Sequence, residues 1–324
     1  MTSDPGLTPV PLVPVGSSDL RVAPLALGGN VFGWTADEEA SVAVLDAFRA
    51  AGGSLVDTAD SYSAWVDGHT GGESERVIGR WLADRGCRDE VVVATKVSQH
   101  PDFRGLAPDT VRRAAHASLE RLGVERIDLY YAHFDDESTP IEDTATAFSA
   151  LVDEGVVRHV ALSNYAPERI DAWMAAVQER GLHVPVALQP HYNLVERDFE
   201  GALRERAERY GLGVLPYFGL AKGFLAGKYR EGGPAVDSPR AGQAAGYLDD
   251  RGRRVLAVLD EVAEAHGVAV ASVSLAWLRR QPTVVGPIAS ARSTDQLADL
   301  VASMTLELTP AELEALDAAS RPTP

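Results

Sequence analysis

Apolar residues fall into eight short runs along this chain: Leu25 to Leu27, Leu55 to Val56, Val91 to Ala94, Ile127 to Tyr131, Val157 to Leu162, Val186 to Leu188, Gly213 to Leu215 and Val284 to Ile288. Each is of strand length and too short for a helix. Between most of them apolar residues recur at helical spacing, as in Val111, Ala115, Leu119 and Leu122, or Ile141, Ala145, Phe148 and Leu151, giving stripes that can pack on a sheet. Glycines punctuate the predicted helix ends: Gly155 after the Ile141 helix, Gly181 after Pro167 to Arg180, and Gly211 after Leu203 to Tyr210. Seven of the eight runs begin about 27 to 36 residues apart, the span of one strand, one helix and two short loops.

Two regions depart from this repeat. Ahead of it, Met1 to Pro14 is rich in Pro, Ser and Thr and reads as frayed at its start, while Leu12 to Val15 and Leu20 to Val22 flank Gly16-Ser17-Ser18 as a small hairpin. Between runs seven and eight, Glu231 to Asp250 is rich in Gly, Ala and Pro without a period, and helices Arg251 to His266 and Val270 to Arg280 follow it. So long an irregular insertion is a functional or mobile loop. Pro310 to Ser320 reads as a last helix capped by Thr309.

The pattern predicts an α/β chain forming a (β/α)8 TIM barrel over residues 1–324 as a single domain, with an N-terminal β-hairpin and extra helices and a loop between strands seven and eight. An open doubly wound sheet is the competing architecture, but Leu27-Gly28-Gly29-Asn30 after the first strand lacks the G-x-G-x-x-G phosphate fingerprint. The closed barrel is therefore the reading.

Composition narrows the partners. The 324 residues are 45% hydrophobic and carry a formal charge of −17, which disfavours nonspecific binding to nucleic acid or anionic lipid. The single cysteine, Cys87, cannot form an internal disulfide, and there is neither a secretory leader nor a membrane-length apolar run, so a cytoplasmic protein is expected. The oligomeric state is not legible.

In a (β/α)8 barrel, chemistry collects at the C-terminal strand ends. Here three consecutive strands end in Asp57, Lys96 and His133, with Tyr62 five residues beyond Asp57. In carbonyl reduction, the chemistry implied by the family resemblance below, a hydride arriving at the carbonyl carbon leaves charge on oxygen that a proton donor must quench. A phenol is a weak acid at neutral pH, and a buried ammonium beside it favours the phenolate. Lys96 would supply that field, Asp57 would pair with it, and His133 would orient and polarise the carbonyl. Tyr62 is thus expected as general acid in reduction and general base in oxidation. A metal site is not expected, because the cluster contains Lys and Tyr and has no His-x-x-x-His spacing.

Val56-Asp57-Thr58-Ala59-Asp60-Ser61-Tyr62, followed by Gly72-Glu73-Ser74-Glu75 and Ile78-Gly79, resembles the signature of the aldo-keto reductase family. Thr95-Lys96-Val97, Leu162-Ser163-Asn164-Tyr165, Gln189 with Tyr192-Asn193-Leu194, and Gly223-Phe224-Leu225-Ala226-Gly227-Lys228-Tyr229 continue the likeness in order across almost the whole chain. The resemblance implies reversible reduction of an aldehyde or ketone using NADPH, with NADH the lesser cofactor. It implies that Ser163, Asn164 and Gln189 hold the nicotinamide carboxamide and that Tyr217 stacks on the ring. Arg292 would grip a 2′-phosphate, while Gln296 and Asp299 would meet the adenine.

The chain departs from the family pattern at three places. Phe218-Gly219-Leu220 stands where Ser-Pro-Leu is common, so one hydroxyl contact to the pyrophosphate is lost, and the amides of Gly219 and Leu220 and the loop carrying Arg240 are the expected compensation. Ala289-Ser290 replaces Pro-Gly, and Leu300 replaces an adenine-binding Asn.

Phe32, Trp34, Trp65 and His191 follow strands one, two and six and are candidates to line the mouth for an apolar or ring-bearing small-molecule carbonyl substrate. Two other classes compete. Some relatives of this fold are regulatory subunits that bind nicotinamide cofactor with little turnover and dock on a membrane protein, a role for which this chain lacks a long N-terminal extension. A barrel isomerase or hydrolase would leave Ser163, Asn164, Gln189 and Arg292 unexplained.

Overall fold

Every apolar run named above contributes backbone to one parallel sheet in the computed structural model, which describes residues 10–321. The strands are β1 (Ala26–Gly28), β2 (Leu55–Asp57), β3 (Val92–Val97), β4 (Ile127–Ala132), β5 (Val157–Ser163), β6 (Ala187–Gln189), β7 (Gly213–Val214) and β8 (Ile288–Ala289). Each pairs in parallel with its sequence neighbour from β1 through β7, and β8 pairs with β1. The ring closes where Val214 donates to the Thr283 carbonyl (2.9 Å) and accepts from the Val285 amide (2.8 Å). The fold is a (β/α)8 barrel.

Strand eight differs from its predicted span. Only Ile288–Ala289 forms a ladder with β1, while Val284 makes an isolated bridge to Val214. Pro287 has no N–H to donate, and at Gly286 a Cβ would lie 2.6 Å from the Pro24 carbonyl carbon, so the backbone kinks between two partners. A second difference is a short antiparallel hairpin, Gln99–His100 with Phe103–Arg104, which lacks an apolar alternation and was not predicted.

The helices are α1 (Glu38–Ala50), α2 (Glu73–Arg85), α3 (Pro108–Leu122), α4 (Ile141–Asp153), α5 (Pro167–Arg180), α6 (Ala202–Tyr210), α7 (Ala241–Ala245), α8 (Asp250–His266), α9 (Val270–Arg279), α10 (Thr294–Val301) and α11 (Pro310–Ser320). The predicted stripes are the buried ones: Val111, Ala115, Leu119 and Leu122 on α3, and Ile141, Ala145, Phe148 and Leu151 on α4. Gly181 and Gly211 are left-handed C-caps and Gly155 lies one residue past the cap of α4 with φ +77°. Thr309 and Glu312 form a reciprocal capping box ahead of Pro310. The insertion holds only α7 as regular structure.

Two apolar layers result. One lies between sheet and helices; the other fills the barrel with Leu55, Ala94, Leu129, Tyr131, Ala161 and Leu215 and continues into Val15, Leu20 and Val22 of the N-terminal hairpin. That hairpin, Val13–Pro14 paired with Arg21–Val22, therefore plugs the N-terminal end. The chain preceding it, read above as frayed, lies outside the described residues up to Pro9. No helix among the described residues is long and apolar enough to cross a membrane.

Candidate active site

Register brings the charged strand ends together. Asp57 lies opposite Ala94 and Lys96 opposite Tyr131, so the acid and the base emerge from adjacent strands at the same mouth. The loop leaving β2 is tied back to β3 by the Asp60 amide on the Lys96 carbonyl (3.2 Å), and the Tyr62 amide donates to the Ala59 carbonyl (3.3 Å). This turn swings the Tyr62 phenol over the ammonium. Lys96 Nζ then spends its three protons on Asp57 Oδ2 (2.6 Å), the Thr58 carbonyl (2.7 Å) and Tyr62 Oη (2.9 Å). Gln189 Nε2 donates to the other oxygen, Asp57 Oδ1 (2.9 Å), and the His133 ring lies 6.2 Å from that of Tyr62.

Lys96 is fully buried. Burial alone pulls its pKa down, but the Asp57 carboxylate and the Tyr62 oxygen outweigh this and leave it above the ordinary value. His133 is held well below the usual imidazole range by burial and by the Lys96 charge, so its ring is neutral and offers one N–H; its Nδ1 has no protein partner. For Tyr62 burial outweighs the Lys96 charge, which pulls in the expected direction, towards phenolate. Burial pushes the phenol up, and Asp57 adds to this, so the opposing pull of Lys96 is only partial in the free protein.

The Gly-Glu-Ser-Glu stretch has a structural role that its resemblance alone did not supply. Thr58 Oγ1 donates to Ser74 Oγ (2.8 Å), which donates to the Gly29 carbonyl (2.8 Å). Glu75, wholly buried, accepts from Thr95 Oγ1 (2.6 Å) and from Arg121 Nε (2.6 Å). The residues following Asp57 and preceding Lys96 are thus clamped to α2 and α3. Gly72 and Gly79 make the approach possible, since a Cβ would meet Arg121 Cδ at 2.3 Å and the Arg121 carbonyl oxygen at 2.6 Å, respectively. Asp60 is buried beside this brace with no hydrogen-bond partner for its carboxyl, and burial followed by the Glu75 charge drives its pKa well above the usual carboxylate range.

A cleft of about 500 Å³ opens from the tetrad. Asp57, Tyr62 and His133 line it, with Lys96 behind them, and so do Ser163, Asn164, Gln189, Tyr217, Phe218, Gly219, Leu220, Arg292, Gln296 and Asp299. Asn164, in a left-handed conformation, donates to Ser163 Oγ (3.0 Å) and to the His133 carbonyl (2.9 Å) and accepts from Tyr217 Oη (2.8 Å). Ser163 Oγ donates to the Gln189 carbonyl (2.9 Å). These polar ends form one network reaching Asp57 through Gln189. At the far end Ser293 caps α10, and Gln296 Oε1 accepts from the Arg292 amide (3.0 Å).

Of the candidate mouth residues, Trp34 and Trp65 line the cleft in a T-shaped pair 5.5 Å apart. Phe32 does not: its side chain is wholly buried in the core. His191 also stays outside the lining, stacked on Tyr217 at 5.3 Å. Sequence reasoning missed Phe134, Asn30, Lys222 and Lys228, all of which line the cleft. Lys228 was quoted within a motif, and Phe134 follows His133 directly, so both carried a readable signal.

The family model for the Aldo/keto reductase family matches residues 24–321. The chain belongs to that family. It is 32% identical to the "Uncharacterized oxidoreductase YrpG" of Bacillus subtilis (strain 168), covering 91% of each chain. It is 31% identical to the "Probable voltage-gated potassium channel subunit beta" of Oryza sativa subsp. japonica, covering 94% of each. Similarity to the "Norsolorinic acid reductase" of Aspergillus flavus is 29%, over 93% of this chain and 78% of that one. Membership with such relatives supports an oxidoreductase activity.

Proposed function

We propose that this protein is an NADPH-dependent reductase of aldehydes or ketones, acting reversibly and as a single barrel domain. The observation that carries the reading is Lys96 Nζ lying between Asp57 Oδ2 (2.6 Å) and Tyr62 Oη (2.9 Å) at the floor of the cleft. The chemistry that NADPH supplies when bound is a hydride. Tyr62 Oη gives its proton to the carbonyl oxygen, and the neutral His133 N–H holds that oxygen in place. Lys96 stabilises the phenolate left on Tyr62, and Asp57 keeps Lys96 charged within the core. In the oxidation direction the phenolate takes the proton from the alcohol.

The cleft suits the cofactor. Ser163, Asn164 and Gln189 would hold an amide, and Tyr217 would offer an aromatic face. Among the described residues the side-chain nitrogens of Lys222, Lys228, Arg240 and Arg292, all lining the cleft, have neither a hydrogen bond nor an ion pair, as a set awaiting phosphate would. Arg292 supports NADPH over NADH, because a guanidinium fork matches a 2′-phosphate. Trp34, Trp65 and Phe134 favour a planar, apolar carbonyl compound. The buried lone Cys87 supports a reducing, cytoplasmic setting.

Similarity to a potassium channel subunit beta supports a second reading, a cofactor-binding subunit with little turnover. One experiment separates them: NADPH oxidation with a panel of aromatic aldehydes, wild type beside Tyr62→Phe, with cofactor binding followed by fluorescence. The wild type should turn over, and Tyr62→Phe should bind NADPH normally yet lose ~100-fold or more in kcat. Binding by both without reaction would favour the second reading.

A further inference from the structure

The loop after β7 carries an unusual concentration of backbone strain. Phe218 (φ +52°), Ala221 (φ +46°) and Lys222 (φ +60°) are all left-handed, and none is glycine. Such conformations persist in non-glycine residues only where the surroundings fix them. Here the Phe218 carbonyl is held by Asn193 Nδ2 (2.9 Å) and the Ala221 amide (2.7 Å), and its ring packs T-shaped against Tyr217 (5.3 Å) and His191 (5.5 Å). The ring, so fixed, has two cations near it: Arg240 at 5.3 Å and Lys222 Nζ at 5.6 Å.

Those cations are unlike most arginines of this protein. Arg121, Arg169 and Arg197 each meet a carboxylate within 2.9 Å. Arg240, half-buried, has only an aromatic face, and burial draws its pKa down with the Tyr62 phenol alone acting against it. Two cations gathered by one neutral ring repel each other, and no protein anion neutralises them among the described residues. An anion entering the cleft would.

We propose that Phe218 is a positioning residue whose ring gathers Arg240 and Lys222 into a clamp for the cofactor diphosphate, in place of the hydroxyl common at this position. The idea rests on the cofactor reading above. It gives a role to a bulky aromatic held in a left-handed turn, a conformation in which glycine would be unstrained. It also gives the Glu231 to Asp250 insertion a fixed landing point, since Arg240 is the insertion's contact with this ring.

NADPH affinity, read by fluorescence titration without substrate, tests it. Phe218→Tyr keeps the π face and should stay within about twofold of wild type, whereas Phe218→Leu should weaken binding on the order of tenfold. Phe218→Ser restores the common hydroxyl and should weaken it as much; tighter binding by this variant would overturn the proposal. Arg240→Met should weaken binding similarly, and adding it to Phe218→Leu should cost little more, because both remove one device. Strictly additive losses, or a Phe218→Leu protein with unchanged affinity, would also overturn it. A wild type that binds no NADPH would instead remove the cofactor reading itself.

Discussion

The two ends of this barrel solve opposite problems. At the N-terminal end the carboxylates Asp19 and Asp128 are both matched by cations. Asp19 at the hairpin tip accepts from Arg158 Nη2 (2.6 Å) and meets His159 Nε2 (2.8 Å), while Asp128 takes the Val93 amide (2.8 Å) and Arg88 (2.9 Å). At the C-terminal end His133 Nδ1 lacks a partner and four cations lack counterions among the described residues. Backbone strain is distributed the same way. Ser63, Ser98, Asn164, Phe218, Ala221 and Lys222, all at positive φ, lie in loops leaving strands at the open end, and among the described residues Thr283 is the one other non-glycine residue at positive φ. Strained backbone and unpaired cations thus gather at the mouth that the proposed cofactor would fill, whereas the interior of the closed end is packed with apolar side chains.

If that division is right, the largest effect should come from Lys96→Met. It removes the group joining Asp57 to Tyr62 and strands a buried carboxylate. Turnover should fall by roughly 10²- to 10⁴-fold, and stability by about 3–5 kcal/mol, read by denaturant titration. A variant as stable as wild type would mean that the open end contributes nothing to the fold, which would sharpen the contrast beyond what the burial of Lys96 implies.

At the closed end, Gly16→Ala should lower stability alone. Gly16 has φ +53°, and a Cβ there would lie 2.2 Å from the Val186 carbonyl oxygen and 2.7 Å from that of Gly211. The hairpin must back out of the barrel, costing roughly 2–3 kcal/mol. Folded enzyme should keep its kcat/KM, so a loss of activity per folded molecule would break the division of labour.

The pH profile tests the open end more gently. Reduction needs Tyr62 protonated, and its pKa lies above the ordinary 10.0; His133 must stay neutral, and its pKa lies well below 6.5. Turnover should therefore be level between those values in steady-state assays. A basic limb setting in near neutrality would show that the Lys96 field overcomes burial once cofactor is bound.

Much of this was legible in the chain. Asp57, Lys96 and His133 each follow a short continuous apolar run, so the barrel rule that chemistry gathers at C-terminal strand ends was enough to aim them at one mouth. Helix stripes and glycine stops placed the outer layer. Other features depend on contacts between distant residues. Gln189 reaches Asp57 across 132 positions, and no local pattern encodes that bond. Phe32 and His191 follow strand ends as Trp34 and Trp65 do, yet they turn inward, because loop backbone rather than strand alternation directs them. The cations around Phe218 converge only through left-handed turns that a propensity argument would not place on Phe, Ala or Lys.

The smallest effect concerns the hairpin tip. The Arg158 hydrogen bond, reinforced by His159, lowers the Asp19 carboxyl pKa from 3.8 to about 2. A carboxyl depressed by folding stabilises the folded state above its unfolded pKa and loses that contribution as pH falls through the folded value. The window is therefore about pH 4 down to about pH 2. Because the Asp19 side chain is 67% exposed, solvent screens most of the interaction. Asp19→Asn should accordingly lower Tm at pH 7 by only on the order of 1 °C, leave turnover unchanged, and flatten the fall of Tm below pH 4. If instead this variant lost activity, the hairpin would be coupled to the mouth through the barrel interior, where Leu20 and Tyr131 belong to one packed cluster, and the two ends could no longer be treated as separate.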